Sequence, residues 1–273
     1  MGGGRKVRYR EWGTPAGAPV VYCHGGMGGL LLRHVGGEYE RVGLRVVTIE
    51  RPGFGGSARV AGRRVVDLVP DVIAVADALG LEAFAVLGVS AGGPYSLATA
   101  ALRPDRVTRC ATVVTAPPLG NEDFDGMADL PARLQEHWRQ ITERGEAYLV
   151  EDHATLVEEI RSWRNETPEP GTEVDHAMLV EACLQAMEPG PWGYVDDWLA
   201  ESRAWGFDLG QVKVPTRLMV ARDDSTVPAA HVDRLAALLP TAEVVTVNGG
   251  HIGPRQDEEE QLLAWLGGGS RAT

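Results

Sequence analysis

At 273 residues, with 44% hydrophobic and 23% charged positions, the chain has the make-up of a soluble globular protein: one large domain, or a core with an insertion. A net charge of −12 disfavours a nucleic-acid partner, and no apolar run approaches the roughly 20 residues of a membrane span. The opening MGGGRKVRYREWG has no apolar signal core, and Cys23, Cys110 and Cys183 are odd in number and far apart, so a cytoplasmic chain without a disulfide framework is expected.

The first predicted strand is APVVYCH (18–24), which runs into His24-Gly25-Gly26-Met27-Gly28. LRVVTIE (44–50) is the next, followed by the glycine-rich ERPGFGGS (50–57), and VVDLVPDVIAVADALG (65–80) reads as a helix. AFAVLGV (83–89) leads into Ser90, and PYSLATAALRP (94–104) reads as the helix after it. Ser90 therefore sits where a strand hands over to a helix, between Gly88 and Gly92. Such a G-x-S-x-G turn crowds the positions two away on either side, so they must be small, and it pushes the serine into the open. The helix beginning behind it aims N–H groups and a positive dipole end at the same spot. TRCATVVT (108–115), TRLMVA (216–221) and AEVVTV (242–247) complete the predicted strands, and AAHVDRLAALLP (229–240) and DEEEQLLAWLG (257–267) the outer helices. Several strands are continuously apolar, as strands buried on both faces of a parallel sheet are, and their alternation with helices predicts an α/β fold with a mostly parallel, doubly wound sheet.

The alternation stops between about 117 and 210. Residues 121–201 carry 20 acids against five arginines and no lysine, and Trp138, Trp163, Trp192, Trp198 and Trp205 lie in or beside this stretch. It is predicted to be a helical cap inserted over one end of the sheet, with an apolar inner face and its acids turned to solvent, because unpaired buried carboxylates are costly. The core is then 1–116 together with 211–273, and the cap 117–210. The Gly-rich ends are expected to fray.

Four motifs in register resemble the α/β-hydrolase superfamily: the His-Gly turn at 24–26, the ERPGFGGS loop with Glu50 where that family has Asp, the Ser90 elbow, and the late pair LMVARDDSTVP and VVTVNGGHIG. The resemblance covers both flanks of the core and not the cap. It implies the triad order Ser90, Asp224, His251. The register from Val227-Pro228 selects Asp224 over its neighbour Asp223, and Ala221 stands where Gly is common. It also implies oxyanion donors at the N–H groups of Gly26 and Ala91, with His24 bracing the turn. Met27, Trp192 and Val227 are candidate substrate contacts.

On that reading Ser90 attacks a carbonyl carbon, His251 takes its proton, Asp224 steadies the imidazolium, and water hydrolyses the acyl-enzyme. Family members that are haloalkane dehalogenases or epoxide hydrolases carry Asp at the elbow, which Ser90 argues against. No cofactor or metal is implied: no His/Cys cluster has ligand spacing, and GMGGLL lacks the glycine spacing of a dinucleotide fingerprint. The expected partner is a small molecule. An ester or related acyl bond is the favoured substrate. The sequence leaves open an aminopeptidase similar to proline iminopeptidases, whose His-Gly-Gly-Pro-Gly loop is close to residues 24–28, a C–C bond hydrolase or thioesterase, and a binding protein without turnover.

Overall fold

The computed structural model describes residues 4–31, 39–122, 124–167, 173–251 and 256–269; most of the two Gly-rich termini lie outside these. Seven strands form one sheet: β1 (Tyr9–Gly13), β2 (Ala18–Cys23), β3 (Leu44–Ile49), β4 (Phe84–Val89), β5 (Val107–Val113), β6 (Thr216–Ala221) and β7 (Ala242–Val247). Their order is β1-β3-β2-β4-β5-β6-β7. β1 pairs antiparallel with β3, and every other pairing is parallel. The sequence pattern did not single out β1. YREWG is a half-exposed edge strand with charged side chains, so it lacks the apolar run that marks its neighbours.

Successive residues of β2 serve opposite layers. Val21 and Cys23 pack with helices α1 (Val69–Ala78), α2 (Gly93–Leu102) and α7 (Ala229–Leu238), whereas Val20 and Tyr22 pack with α8 (Gln256–Leu266). Helices thus cover both faces, as the uninterrupted apolar strands require. Burial pushes the Cys23, Cys110 and Cys183 thiols up to about 12, so none offers a thiolate at neutral pH.

Between β5 and β6 the described residues form four α-helices and no strand: α3 (Ala132–Arg144), α4 (Glu146–Trp163), α5 (Glu173–Met187) and α6 (Trp192–Glu201). They share an apolar cluster of their own that includes Ile141, Leu149, Ile160 and Val195. No helix among the described residues is long and apolar enough to cross a membrane.

The expectation that the acids of this segment face solvent is corrected for α6. Asp196, Asp197 and Glu201 are buried. Asp196 takes two hydrogen bonds from Arg59, at 2.8 and 3.2 Å, and Asp197 is gripped by Arg51 and Arg63. The physical reason is pairing: arginines from the loop after β3 supply the countercharge that makes burial tolerable. The backbones also approach closely, since a Cβ on Gly53 would lie 2.8 Å from the Gly193 nitrogen.

Glu201, one turn beyond Asp197, is buried with Oε1 unpartnered among the described residues. Burial, and then the charge of Asp197, push its carboxyl well above the ordinary range. Burial also works against the Asp197 charge, yet the two guanidinium groups hold that carboxyl below its usual range. A carboxyl raised in the fold lends its stability at low pH and loses it as pH climbs towards the folded pKa. Glu201→Gln is therefore expected to raise Tm over the parent by a margin near zero at about pH 4 that widens towards about pH 8. Thermal melts across that range check it; a margin that does not change with pH would mean that Glu201 is ionised in the fold.

Candidate active site

Every sequence-predicted triad residue lies just past the C-terminal end of a parallel strand. Cys23 pairs in register with Gly88, and Val89 with Val113, so the ends of β2, β4 and β5 converge. The strand order reverses between β2 and β4, since β3 lies on one side of β2 and β4 on the other. Ligand crevices of open α/β sheets form at such a point.

Ser90 follows β4 with φ of 50°, a left-handed conformation rare outside glycine. Val114, at the end of the neighbouring β5, has φ of 44°. These are the two non-glycine positive-φ residues among those described, and they sit on adjacent strand ends. The Ser90 carbonyl accepts the Ala116 N–H at 3.1 Å, and the Val114 N–H bonds Met219 O at 3.0 Å, so neighbouring backbone holds both strained turns in place. The flanking glycines are required by space. A Cβ on Gly88 would lie 2.4 Å from Gly92 O, and one on Gly92 would lie 2.0 Å from Cys23 O and 2.6 Å from His24 O. Gly92→Ala must therefore displace the backbone at the end of β2 and is expected to cost about 3 kcal/mol. Gly62→Ala, where a Cβ meets open space, should cost about 1 kcal/mol through its positive φ alone. Chemical denaturation of both variants measures the gap.

Ser90 Oγ lies 2.9 Å from His251 Nε2, and His251 Nδ1 lies 2.9 Å from Asp224 Oδ2. A carboxylate only accepts, so Nδ1 carries the proton and Nε2 of the neutral ring is free to accept from the serine hydroxyl. The other oxygen of Asp224 accepts the N–H groups of Thr226 and Val227, at 2.7 and 3.0 Å. Burial favours the neutral acid here, but the His251 contact and the two N–H bonds outweigh it and hold the carboxyl below its usual range. The Asp224 side chain is 1% exposed while Asp223 is exposed, which separates the two neighbours.

Gly26 and Ala91 face each other: a Cβ on Gly26 would lie 3.5 Å from that of Ala91. His24 is fully buried, and burial and then the nearby Arg51 charge push its imidazole down to about 3. Its Nε2 accepts the Arg51 N–H at 3.2 Å, so Nδ1 carries the proton and donates to Gly25 O at 2.8 Å.

The chain belongs to the α/β-hydrolase fold family. The family profile, described as alpha/beta hydrolase fold, matches residues 18–254. A proline iminopeptidase of Neisseria meningitidis serogroup A is 26% identical over 270 residues, covering 90% of this chain and 86% of that protein. A non-heme haloperoxidase of Rhodococcus erythropolis is 26% identical over 247 residues, covering 86% and 85%. An esterase from Exiguobacterium antarcticum shares the fold at a TM-score of 0.69 and 19% identity, over 96% of this chain and 94% of that one. In this α/β-hydrolase the Glu50 carboxylate takes the N–H groups of Gly56 and Ser57, both at 2.9 Å, and so braces the loop where family members carry Asp.

The three candidate substrate contacts fare differently. Met27 is half-buried and packs against the apolar cluster of α3–α6. Trp192 packs against the same cluster with the Arg59 guanidinium 3.7 Å over its ring. Val227 is buried in the apolar cluster that includes Val220, Val232 and Leu235, while its N–H bonds Asp224 Oδ1. Sequence reasoning gave no role to Arg51 or Asp197. A lone arginine inside the glycine-rich ERPGFGGS and the adjacent Asp pair of a Trp-rich helix were the available signals.

Proposed function

We propose that the chain is a serine hydrolase that cleaves a small-molecule ester or related acyl bond through an acyl-Ser90 intermediate. The observation that carries this is the relay Ser90 Oγ–His251 Nε2–Asp224, with both contacts at 2.9 Å. His251 Nε2 takes the hydroxyl proton as Ser90 Oγ bonds to the carbonyl carbon, and the oxyanion accepts from Gly26 and Ala91. The imidazolium returns the proton to the leaving alcohol as the carbon–oxygen bond breaks. Water, deprotonated by His251, then releases the acid and restores Ser90. Every group needed is a protein atom or water. A fluorophosphonate is expected to label the protein once, on Ser90, and to abolish hydrolysis of a chromogenic acyl ester. Labelling elsewhere with activity retained would sink the reading.

A second reading, an aminopeptidase, is favoured by the full-length similarity to a proline iminopeptidase. It is also favoured by a cavity of about 220 Å³ in the inserted helices, lined by Asp152, Glu159, Tyr194 and Trp198 among others. Arg133, which also lines it, reaches Thr226 beside Asp224 at 3.1 Å. Against it, Asp196 and Asp197 are taken up by arginines and Asp152 accepts the Tyr194 hydroxyl. A neutral p-nitrophenyl ester compared with a matched substrate bearing a free α-amine decides between the two. The ester reading expects preference for the neutral compound with little salt dependence. A preference for the amine that fades as salt rises would install the aminopeptidase.

A further inference from the structure

We propose that Arg51 is a positioning residue for the Gly26 N–H, and that Asp197 of α6 holds Arg51 in place. The inserted helices are thereby tied to one of the two oxyanion donors. The proposal rests on the reading of Gly26 and Ala91 as those donors. Arg51 is fully buried and spends its guanidinium on two partners at once. One side grips Asp197: Nε donates at 2.9 Å and Nη2 at 2.6 Å to the same carboxylate oxygen. The other side reaches the turn after β2, where Nη1 donates to His24 O and Nη2 to Gly25 O at 3.0 Å.

Gly25 O is the decisive atom. It belongs to the same planar peptide unit as the Gly26 N–H, and in a trans unit the two point in opposite directions. Whatever fixes the carbonyl therefore fixes the direction of the N–H. That oxygen takes three donors: Arg51 Nη2 at 3.0 Å, His24 Nδ1 at 2.8 Å and Gly28 N at 3.0 Å. A cationic donor on a carbonyl also polarises the amide behind it and makes its N–H a stronger donor. His24 is part of the same arrangement, since the Arg51 N–H fixes the tautomer that lets Nδ1 donate to Gly25 O.

The charges agree with this role. Two guanidinium groups, Arg51 and Arg63, face one carboxylate, Asp197, which also accepts the Tyr95 hydroxyl at 2.8 Å. Burial pushes the carboxyl of Glu201 beside them well above its ordinary range. The Arg51 guanidinium lies in a water-excluded layer beneath the turn that would receive the oxyanion, where its charge weighs more than on the surface. A purely mechanical tie between α6 and the core exists one residue away: Asp196 pairs with Arg59 and touches nothing at Gly25.

Arg51→Lys keeps the charge and loses the fork; Asp197→Asn keeps the shape and loses the anchor; Asp196→Asn removes the neighbouring tie. Each is assayed for kcat and KM on a chromogenic acyl ester and for inhibition by a trifluoromethyl ketone, which forms a tetrahedral oxyanion adduct with the serine. Circular dichroism reports folding, and fluorophosphonate labelling reports Ser90. Removal of a whole oxyanion donor costs about 10²–10³ in kcat, so misaiming one should cost about tenfold or more. Arg51→Lys and Asp197→Asn are expected to lower kcat and ketone affinity by the same factor, with KM within about twofold. Asp196→Asn should lower Tm and leave both readouts alone. If Arg51→Lys does not fold, Asp197→Asn decides by the same pair of readouts. Unchanged kcat and ketone affinity in a folded variant overturns the proposal, as does an equal loss in Asp196→Asn. A parent protein that neither labels at Ser90 nor binds the ketone overturns the Ser90 reading, and the proposal falls with it.

Discussion

Ser90→Ala is expected to lower kcat by about 10³-fold or more, because triad members act as a unit and the water-only reaction gains nothing from the remaining two. The same position carries a stability signature that a surface serine would lack. Ser90 holds φ of 50°, and alanine at that φ is as strained as serine. Ser90→Ala should therefore melt near the parent temperature while being inactive. Ser90→Gly removes the Cβ that makes this conformation costly and is expected to be inactive and more stable by about 1 kcal/mol. Kinetics with the acyl ester and paired denaturation curves test both halves. A destabilised Ser90→Gly would mean that the elbow stores no strain, and an active Ser90→Ala would remove Ser90 from the chemistry.

The parallel core was legible because its strands are apolar runs with no polar face to confuse the pattern, and because Ser90 stands between glycines that its turn demands for space. Asp224 and His251 were read from the resemblance of LMVARDDSTVP and VVTVNGGHIG to α/β-hydrolase loops, with the register from Val227-Pro228 choosing Asp224 over Asp223. What escaped depends on distant pairs. Asp197 lies 146 residues from Arg51 and 134 from Arg63, so a charge count along α6 records only acids and predicts a solvated face. Folding brings the arginines in and turns that acidic excess into a buried network. β1 escaped because an edge strand needs only one apolar face, and YREWG exposes most of its length.

Asp224→Asn is expected to cripple turnover by about 10³- to 10⁴-fold, whereas Asp223→Asn should stay within about threefold of the parent. The structure gives the reason for so large a gap between adjacent identical side chains. Asp224 Oδ2 faces His251 Nδ1 at 2.9 Å, and Oδ1 is fixed by Thr226 N and Val227 N, so the carboxylate is both aimed and held ionised. Asparagine can keep the two N–H bonds through its carbonyl oxygen. Its NH₂ would then face the imidazole, favouring the tautomer with the proton on Nε2, which cannot accept from Ser90. The fold should survive, because the turn's own bonds remain. Asp223, the preceding residue of the same turn, is exposed. Because the lost charge also steadied the imidazolium, Asp224→Asn should lose kcat while KM for a neutral ester changes little. Steady-state kinetics of the two variants on one ester, with circular dichroism to confirm folding, settles the assignment. The reverse ranking would place the acid one residue earlier and undo the relay drawn through His251.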